Sequence, residues 1–415
     1  MALRAVSRLM YTVNNQKPLL NVWVDEKGET PLHYNLVDNF QNEQFKFTKL
    51  EYLSKFFCST VNFLYDIQFK RLNCDKLCEN EANYIIAPCA CLNTVLQAIS
   101  VVTEEVYNIC KKFNLKLLFF CIKECPSILT IKTIDEYVNK FLVNKNFNLK
   151  YFKIVINAFD KIVVSKNKDM FLCINYFDKL MRHYIHTSFV VPEYKFINKR
   201  AFDFSVLTGT LYERFDRVII LNELYKLNLL NSGFFYTLIN TDANVTKEYI
   251  EKKCTTTGYK IKNTFLQQLL QHKVFKGSGA PLNRDNDIYL DRIEWQIPHQ
   301  VYDSYIHIVL ETQSELPSIT EKIFKPIIAG VPFVWYGCKG ILKFLESLGY
   351  KRYNFINYDF DCLDCAEERR NTLLKEIKRL SLLNLTNCIV SSKDVADHNR
   401  EVFLRASNLN ELLKL

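Results

Sequence analysis

Short apolar runs alternate with amphipathic segments along the first half of the chain. Apolar runs of this length predict buried strands, and apolar positions spaced near 3.6 residues predict helices. The predicted strands are 19–26, 83–90, 115–124, 159–166 and 188–194, and the predicted helices are 95–113, around 133–143 and 169–183. Continuous apolar strands separated by helices are typical of a parallel sheet covered on both faces. The first half is therefore predicted to be a Rossmann-like layer.

The alternation begins again after a polar stretch at 195–203. The predicted elements of this second half are strands at 204–209, 233–240, 304–312 and 331–337 and helices at 213–230, from about 320, after 337, at 366–382 and at 395–415. The polar, Lys- and Thr-rich segment 241–292 is predicted to hold the least regular structure. Together the two halves predict an α/β protein with two Rossmann-like domains.

Length and composition agree with two domains. The chain has 415 residues, and this length exceeds what one hydrophobic core normally serves. Its hydrophobic content of 48% is enough to bury a large core. We expect a first domain at 1–197, a second at 198–390, and a C-terminal helix at 391–415 placed to cross back to the first. No apolar run approaches the roughly 18 residues that span a bilayer, and the first residues lack a signal-type apolar stretch. A soluble, cytoplasmic protein without a membrane span is expected.

The net charge of +9 comes from 54 basic and 45 acidic residues scattered along the chain. A basic groove for an anionic ligand agrees with this excess. The absence of a basic block makes nucleic acid the least favoured partner among the classes considered.

The 14 cysteines are expected to be free thiols, because a chain without an export signal stays in a reducing compartment. One group has a spacing that fits no standard zinc site: Cys74, Cys78, Cys89 and Cys91. Cys362 and Cys365 form a lone CxxC, which favours a surface loop with two thiols. The acidic DFD at 359–361 is interpreted as a loop acid pair. We therefore expect no metal site and no cofactor.

Residues 309–350 carry the candidate chemistry. Glu311 follows a predicted buried strand, where ligands of open α/β sheets bind. Ser318 and Glu321 have the S-x-x-E spacing of a capping box, with Thr320 as an alternative cap. Free N–H groups at such a helix start attract a diphosphate, and Lys322 adds a full charge. The same spacing also fits a helix in which Glu321 is only a capping acid and Lys322 only a surface charge.

Four further residues shape this segment. Pro326 cannot donate a hydrogen bond within the helix, so we expect a kink there and a freed carbonyl at Lys322. Ala329 and Gly330 are expected to end the helix. Gly337, at the end of the next strand, would allow the backbone to approach a ligand closely.

The run ITEKIFKPIIAGVPFVWYG resembles the donor-binding motif of GT-B glycosyltransferases of the fucosyltransferase type. It resembles more closely a group of glycosyltransferase-like proteins of phages and large DNA viruses that share T-E-K-x-F-K-P-I and G-x-P-F. The match is strong over about 304–353. A weaker match at 204–230 looks like the first strand and the Arg-bearing helix of the same domain. Residues 1–195 carry no recognisable motif.

The resemblance implies roles for individual residues. In the fucosyltransferase-like family the motif glutamate binds the donor ribose and the motif lysine binds its phosphates, which points to Glu321 and Lys322. An arginine near the start of the C-terminal domain meets the diphosphate. Arg214 and Arg217 are the candidates, with Arg217 favoured by the alignment of the weaker match. Glu311, Thr320 and Gly337 complete the expected donor-binding set.

The family's catalytic base is a carboxylate of the N-terminal domain, and no motif places it here. Glu124 has the right topological position after a strand, as do Asp25 and Glu26, and Glu124 is the chosen candidate. Pro326 departs from the fucosyltransferase pattern.

The resemblance thus implies a GT-B glycosyltransferase, an α/β protein with two Rossmann-like domains facing a cleft. It would move a sugar from a nucleotide-sugar donor to an unknown acceptor without a metal. The alternative is a non-catalytic structural or assembly protein of the same fold, with viral assembly partners.

Overall fold

The computed structural model describes residues 19–24, 66–71, 83–88, 92–100, 102–112, 114, 116–121, 126–175, 177–178, 196–208, 211–230, 232–237, 243–270, 275–276, 297 and 299–405. The described elements fall into two compact units, divided between Thr187 and Ser188. Each unit contains one predominantly parallel sheet, so the α/β class with two Rossmann-like units is confirmed. No helix in these ranges is both long and apolar enough to cross a membrane.

The first unit is built on a six-stranded parallel sheet. Its strands are β1 (Leu19–Val24), β2 (Asp66–Arg71), β3 (Asn83–Pro88), β4 (Lys116–Cys121), β5 (Phe152–Asn157) and β6 (Phe171–Ile174). Its described helices include α1 (Leu92–Ser100), α2 (Glu104–Lys112) and α3 (Ile128–Val138). The strand order is β2-β1-β3-β4-β5-β6, and every neighbouring pair is parallel. The chain therefore changes direction across the sheet between β1 and β3, as in doubly wound folds.

Three predictions in this unit are wrong. The apolar run at 159–166 is a loop in which Val163 is 79% exposed, and the strand lies just before it at β5. Residues 169–183 were expected to be helical, yet β6 occupies part of them because its residues pair with β5. The single helix expected at 95–113 is divided into α1 and α2.

The second unit is built on a five-stranded sheet. Its strands are β7 (Phe202–Thr208), β8 (Phe234–Thr237), β9 (Phe275–Lys276), β10 (Ser304–Leu310) and β11 (Phe333–Tyr336). Its described helices include α4 (Phe215–Lys226), α5 (Ala243–Thr257), α6 (Asn263–Leu270), α7 (His299–Tyr302), α8 (Glu321–Ala329), α9 (Ile341–Ser347), α10 (Ala366–Leu380), α11 (Leu385–Ser391) and α12 (Lys393–Leu404). Because α5 and α6 are regular helices, the prediction of irregular structure throughout 241–292 is wrong there.

The strand order of this sheet is β11-β10-β7-β8-β9, with β9 antiparallel to β8 and the other neighbours parallel. Counted from β7 as the first strand, this is the 3-2-1-4-5 order of Rossmann folds. The chain moves outward from β7 to β8 and β9, then crosses to β10 on the opposite side. The switch point of the sheet therefore lies between the carboxyl ends of β7 and β10.

The C-terminal helices pack onto the second unit. Phe403 of α12 lies against Phe324 of α8 with ring centroids 5.7 Å apart, and Arg400 Nε donates to the Ile328 carbonyl at 3.0 Å. The helical pattern expected over 395–415 is described only as far as residue 405. The predicted return of the C-terminal segment to the first domain lies outside the described residues.

Candidate functional site

Helix α8 begins at the carboxyl edge of the second sheet, next to the end of β10. Thr320 is its N-cap, with extended backbone angles, and its hydroxyl accepts from the Lys322 N–H. A capping box needs its glutamate at the third helical position, whereas Glu321 is the first helical residue. The capping box expected from Ser318 to Glu321 is therefore wrong. Ser318 instead accepts a hydrogen bond from the Gln313 side chain at 2.5 Å, which braces the loop before the helix.

Glu311 fixes this N-cap to the sheet. Its carboxylate accepts from the Thr320 N–H at 3.1 Å and from the Thr320 hydroxyl at 2.7 Å. Its backbone N–H donates to the Tyr336 carbonyl of β11 at 2.9 Å, which continues the sheet by one residue. The buried Glu311 side chain therefore holds the first turn of α8 on the strand end.

The N–H groups expected to be free at this helix start are engaged within the chain. The Thr320 N–H donates to Glu311, the Lys322 N–H to the Thr320 hydroxyl at 3.4 Å, and the Ile323 N–H to the Thr320 carbonyl at 3.4 Å. The two bonds at 3.4 Å are longer than the usual range for an N–H donor and an oxygen acceptor, so they are weak. A carboxylate already compensates part of the positive end of the helix dipole.

Glu321 and Lys322 stand side by side in the first turn, with Lys322 Nζ 3.6 Å from Glu321 Oε1. Their side chains are 12% and 19% exposed, so both retain some contact with solvent. Lys322 Nζ also donates to the hydroxyls of Thr320 at 3.0 Å and Thr312 at 3.3 Å. Burial alone would raise the pKa of Glu321, but the charges of Lys322 and Lys325 outweigh it and lower that pKa. Glu321 is therefore held as a carboxylate.

Arg217 reaches the same place from α4, the helix that follows β7. The side chain is buried, and Nη2 and Nε donate to the Glu311 carbonyl at 2.8 and 3.2 Å. Arg214, the other candidate, is the N-cap residue of α4, and its Nη1 donates to the neighbouring Glu213 carbonyl at 3.2 Å. The arginine favoured by the sequence is thus the one that contacts the end of β10.

Gly337 lies directly against Glu311. A Cβ at this position would be 3.3 Å from Glu311 Cβ and Cγ and 3.0 Å from Ile341 Cδ1. The missing side chain therefore makes room for Glu311. The structure brings Glu311, Thr320, Glu321, Lys322, Arg217 and Gly337 together, while their donor-binding roles stay predictions.

Gly330 ends α8 in the left-handed conformation with φ of 63°, as expected. Pro326 lies inside the helix, and its N–H is missing from the ladder. The kink stays a prediction.

Sequence reasoning missed two arginines, Arg369 and Arg370, in the first turns of α10. Both are buried at this edge of the sheet, and Arg370 pairs with Asp216 at the start of α4 with an N–O distance of 2.5 Å. A signal was present in the sequence EERR at 367–370, since two cations this close to a helix start oppose the dipole. Such residues need compensating partners elsewhere in the fold.

The remaining candidates lie apart from this cluster. Cys362 and Cys365 are both exposed and unbridged. Asp361 of the DFD sequence accepts from Trp335 Nε1 and from the N–H groups of Ile341 and Leu342, so its carboxylate caps α9. Some predicted sites fall outside the described residues, namely Glu124, Asp25, Glu26, Cys74, Cys78, Cys89 and Cys91.

No protein-family model and no curated protein matches the chain. Solved structures with similar chain traces include Anabaena HepE in complex with UDP and glucose, at 9% identity, TM-score 0.40, and coverage of 95% of this chain and 97% of that one. An α1,3-fucosyltransferase with GDP is similar at 11% identity, TM-score 0.37, and coverage of 92% and 83%. Likenesses at this level assign no ligand. The α/β fold follows from the two sheets themselves.

Proposed function

We propose that this protein is a glycosyltransferase that takes a sugar from a nucleotide-sugar donor and transfers it to an acceptor. The observation that carries the proposal is the place of the Thr320–Glu321–Lys322 segment, which starts α8 beside the switch point of the second sheet. Arg217 reaches the same strand end from α4. Ligands of open α/β sheets bind at such a point, and the segment is the one that resembles the fucosyltransferase-type donor motif.

Glu321 is proposed to bind the donor ribose. An ionised carboxylate offers two acceptor oxygens, which suit the hydroxyl groups of a ribose. The lowered pKa keeps it in that form. Its residual exposure leaves the carboxylate open to a ligand from the solvent side.

Lys322 and Arg217 are proposed to hold the diphosphate. A lysine ammonium and an arginine guanidinium both bind phosphate oxygens. Because Glu311 already takes the Thr320 N–H, the phosphate would be bound through the Lys322 ammonium more than through the helix N–H groups. These cations would stabilise the charge that develops on the diphosphate as its bond to the sugar breaks.

The acceptor hydroxyl would attack the anomeric carbon and pass its proton to a carboxylate of the first unit. Glu124 is the proposed base, with Asp25 and Glu26 as alternatives. Protein cations neutralise the charge on the leaving diphosphate in this scheme, so transfer should persist in the presence of a chelator.

The first test is binding. The unfolding temperature is recorded with UDP, GDP, ADP and CDP, since a ligand at about 100 times its Kd adds roughly 2.7 kcal/mol to stability. Lys322→Ala should abolish most of the shift. The matched control is Lys343→Ala, an exposed lysine on α9, which should retain it. A shift that survives in Lys322→Ala would contradict the assigned site.

The second test is turnover. Release of the nucleoside diphosphate from the matching nucleotide sugar is measured with and without EDTA. Release that requires an added divalent cation would overturn the metal-independent scheme.

A non-catalytic structural role is the second candidate, and one observation favours it. The polar groups at the start of α8 are largely satisfied by Glu311, Thr320 and Thr312, as in a helix start that has no ligand to bind. No stabilisation by any nucleotide in the wild-type protein would favour this role over the enzymatic one.

A further inference from the structure

Arg369 is a buried cation that links three separate segments of the second unit. It is the fourth residue of α10 and is 5% exposed. Nη2 donates to the Ser314 carbonyl at 2.5 Å and Nε to the Gly337 carbonyl at 3.2 Å. Nη1 donates to the carbonyls of Leu363 and Asp364, both at 2.7 Å. One guanidinium thus joins the loop after β10, the end of β11 and the segment before α10.

This position is unfavourable for a cation in two ways. A positive charge near a helix start opposes the dipole, and burial removes its hydration. The four acceptors are all main-chain carbonyls, whose dipoles must be held in place around the charge. Hydrogen bonds from an ionised donor are stronger than neutral ones. The arrangement therefore resists movement of any of the three segments.

Two of these segments lead directly into the proposed donor site. Gly337 lies against the Glu311 side chain, which in turn holds Thr320. Ser314 belongs to the loop that joins Glu311 to Thr320. The rest of that loop is closed by Gln313, whose side chain donates to the Leu316 carbonyl at 2.7 Å. Movement at Arg369 would therefore be passed to both ends of the Glu311–Thr320 contact.

We propose that Arg369 is a positioning residue for the donor site: its guanidinium fixes the 312–319 loop and the end of β11 so that Glu321 and Lys322 face the ligand in one geometry. The inference deepens the proposed function and rests on it for the identity of the ligand. Arg369 has no role in contacting the donor. Its effect passes through Gly337 and Ser314.

The first experiment is hydrogen exchange on the free protein, which requires no ligand. In Arg369→Lys, a single ammonium cannot replace the forked set of four hydrogen bonds. Amide exchange should accelerate in 312–320 and 337–341 and remain at the wild-type rate in α5 and α6. Unchanged protection of the loop would overturn the inference, and so would uniform acceleration throughout the unit. The control is Arg352→Lys, an exposed arginine, which should match wild type everywhere.

The second experiment measures the affinity for UDP and GDP. A small misplacement of binding groups has a large effect on a preorganised site, so Arg369→Lys should bind at least about tenfold more weakly. In Arg369→Ala, millimolar guanidinium chloride should restore part of the affinity, whereas sodium chloride at the same concentration should not. Affinity equal to wild type in Arg369→Lys would overturn the inference.

The two experiments separate failure of this inference from failure of the proposed function. A wild-type protein that binds no nucleotide refutes the donor site by itself. Hydrogen exchange still decides in that case whether Arg369 fixes the loop.

Discussion

The Glu311 carboxylate accepts both the backbone N–H and the hydroxyl of Thr320, at 3.1 and 2.7 Å. The two residues are nine positions apart and join the end of β10 to the start of α8. Each oxygen of the Glu311 carboxylate accepts one of these hydrogen bonds, so the contact fixes the orientation of Thr320 relative to the strand end. The contact therefore positions the backbone from which the Glu321 and Lys322 side chains extend.

Thr320→Val should destabilise the protein by about 1–2 kcal/mol, because the hydroxyl both caps α8 and donates to Glu311. Equilibrium unfolding in urea measures the change. Thr320→Ser keeps the hydroxyl and should cost less than about 0.5 kcal/mol. A larger loss in Thr320→Ser than in Thr320→Val would show that the methyl group, and not the hydroxyl, matters at this position.

Gly337→Ala should cost about 1–3 kcal/mol, because the new Cβ presses on Ile341 Cδ1 and on the Glu311 side chain. Ile341→Val removes that Cδ1 atom and provides space. The double variant should therefore lose less stability than the sum of the two single variants. Simple additivity in urea unfolding would rule out this contact as the source of the strain.

His307 should make stability depend on pH. It is buried in β10 with Nδ1 2.8 Å from the Ser205 hydroxyl, and burial, followed by the charge of Lys325, lowers its pKa from 6.5 to about 3. The unfolded chain takes up a proton below 6.5 while the native state stays neutral to about 3. Stability is therefore lost as pH falls through this window, by up to about 1.4 kcal/mol per pH unit.

The pH effect is tested by urea unfolding between about pH 7 and pH 5. His307→Asn retains an amide that can bond Ser205 but does not titrate, so its stability should fall less steeply with acid. Parallel stability curves for wild type and variant would contradict the assignment to His307.

Arg217→Met should weaken nucleoside diphosphate binding by about tenfold or more, because it removes a cation from the proposed diphosphate site. Arg214→Met is the matched control, one position before α4, and should change affinity by less than about twofold. Isothermal titration with the nucleotide that stabilises wild type most gives both values. A larger loss in Arg214→Met would transfer the role to that residue.

Local pattern was sufficient for several elements. The apolar runs at 204–209, 304–312 and 331–337 are β7, β10 and β11, because strands buried on both faces need continuous apolar side chains. Gly330 marked the end of α8 through its freedom to adopt a positive φ. The EERR sequence hinted at buried arginines but not at their partners.

Local pattern failed where two neighbouring segments were equally apolar. The runs at 152–157 and 159–166 both fit a strand, and only pairing with β4 and β6 selects the first. A tertiary contact also selects the N-cap residue of α8. Ser318 and Thr320 are both good caps, and the carboxylate of Glu311 favours Thr320.

The sequence by itself determined that this is an α/β chain with two Rossmann-like units and that 320–322 begins a helix after a buried strand, because hydrophobic period and capping are properties of adjacent residues. Only the tertiary structure decided the strand order that places β7 beside β10, and with it the contact between Arg217 and the Glu311 carbonyl across 94 positions. It also decided that Arg369 meets Ser314 and Gly337. These partners depend on how distant segments pack, and a long side chain can reach many acceptors until the backbone around it is fixed.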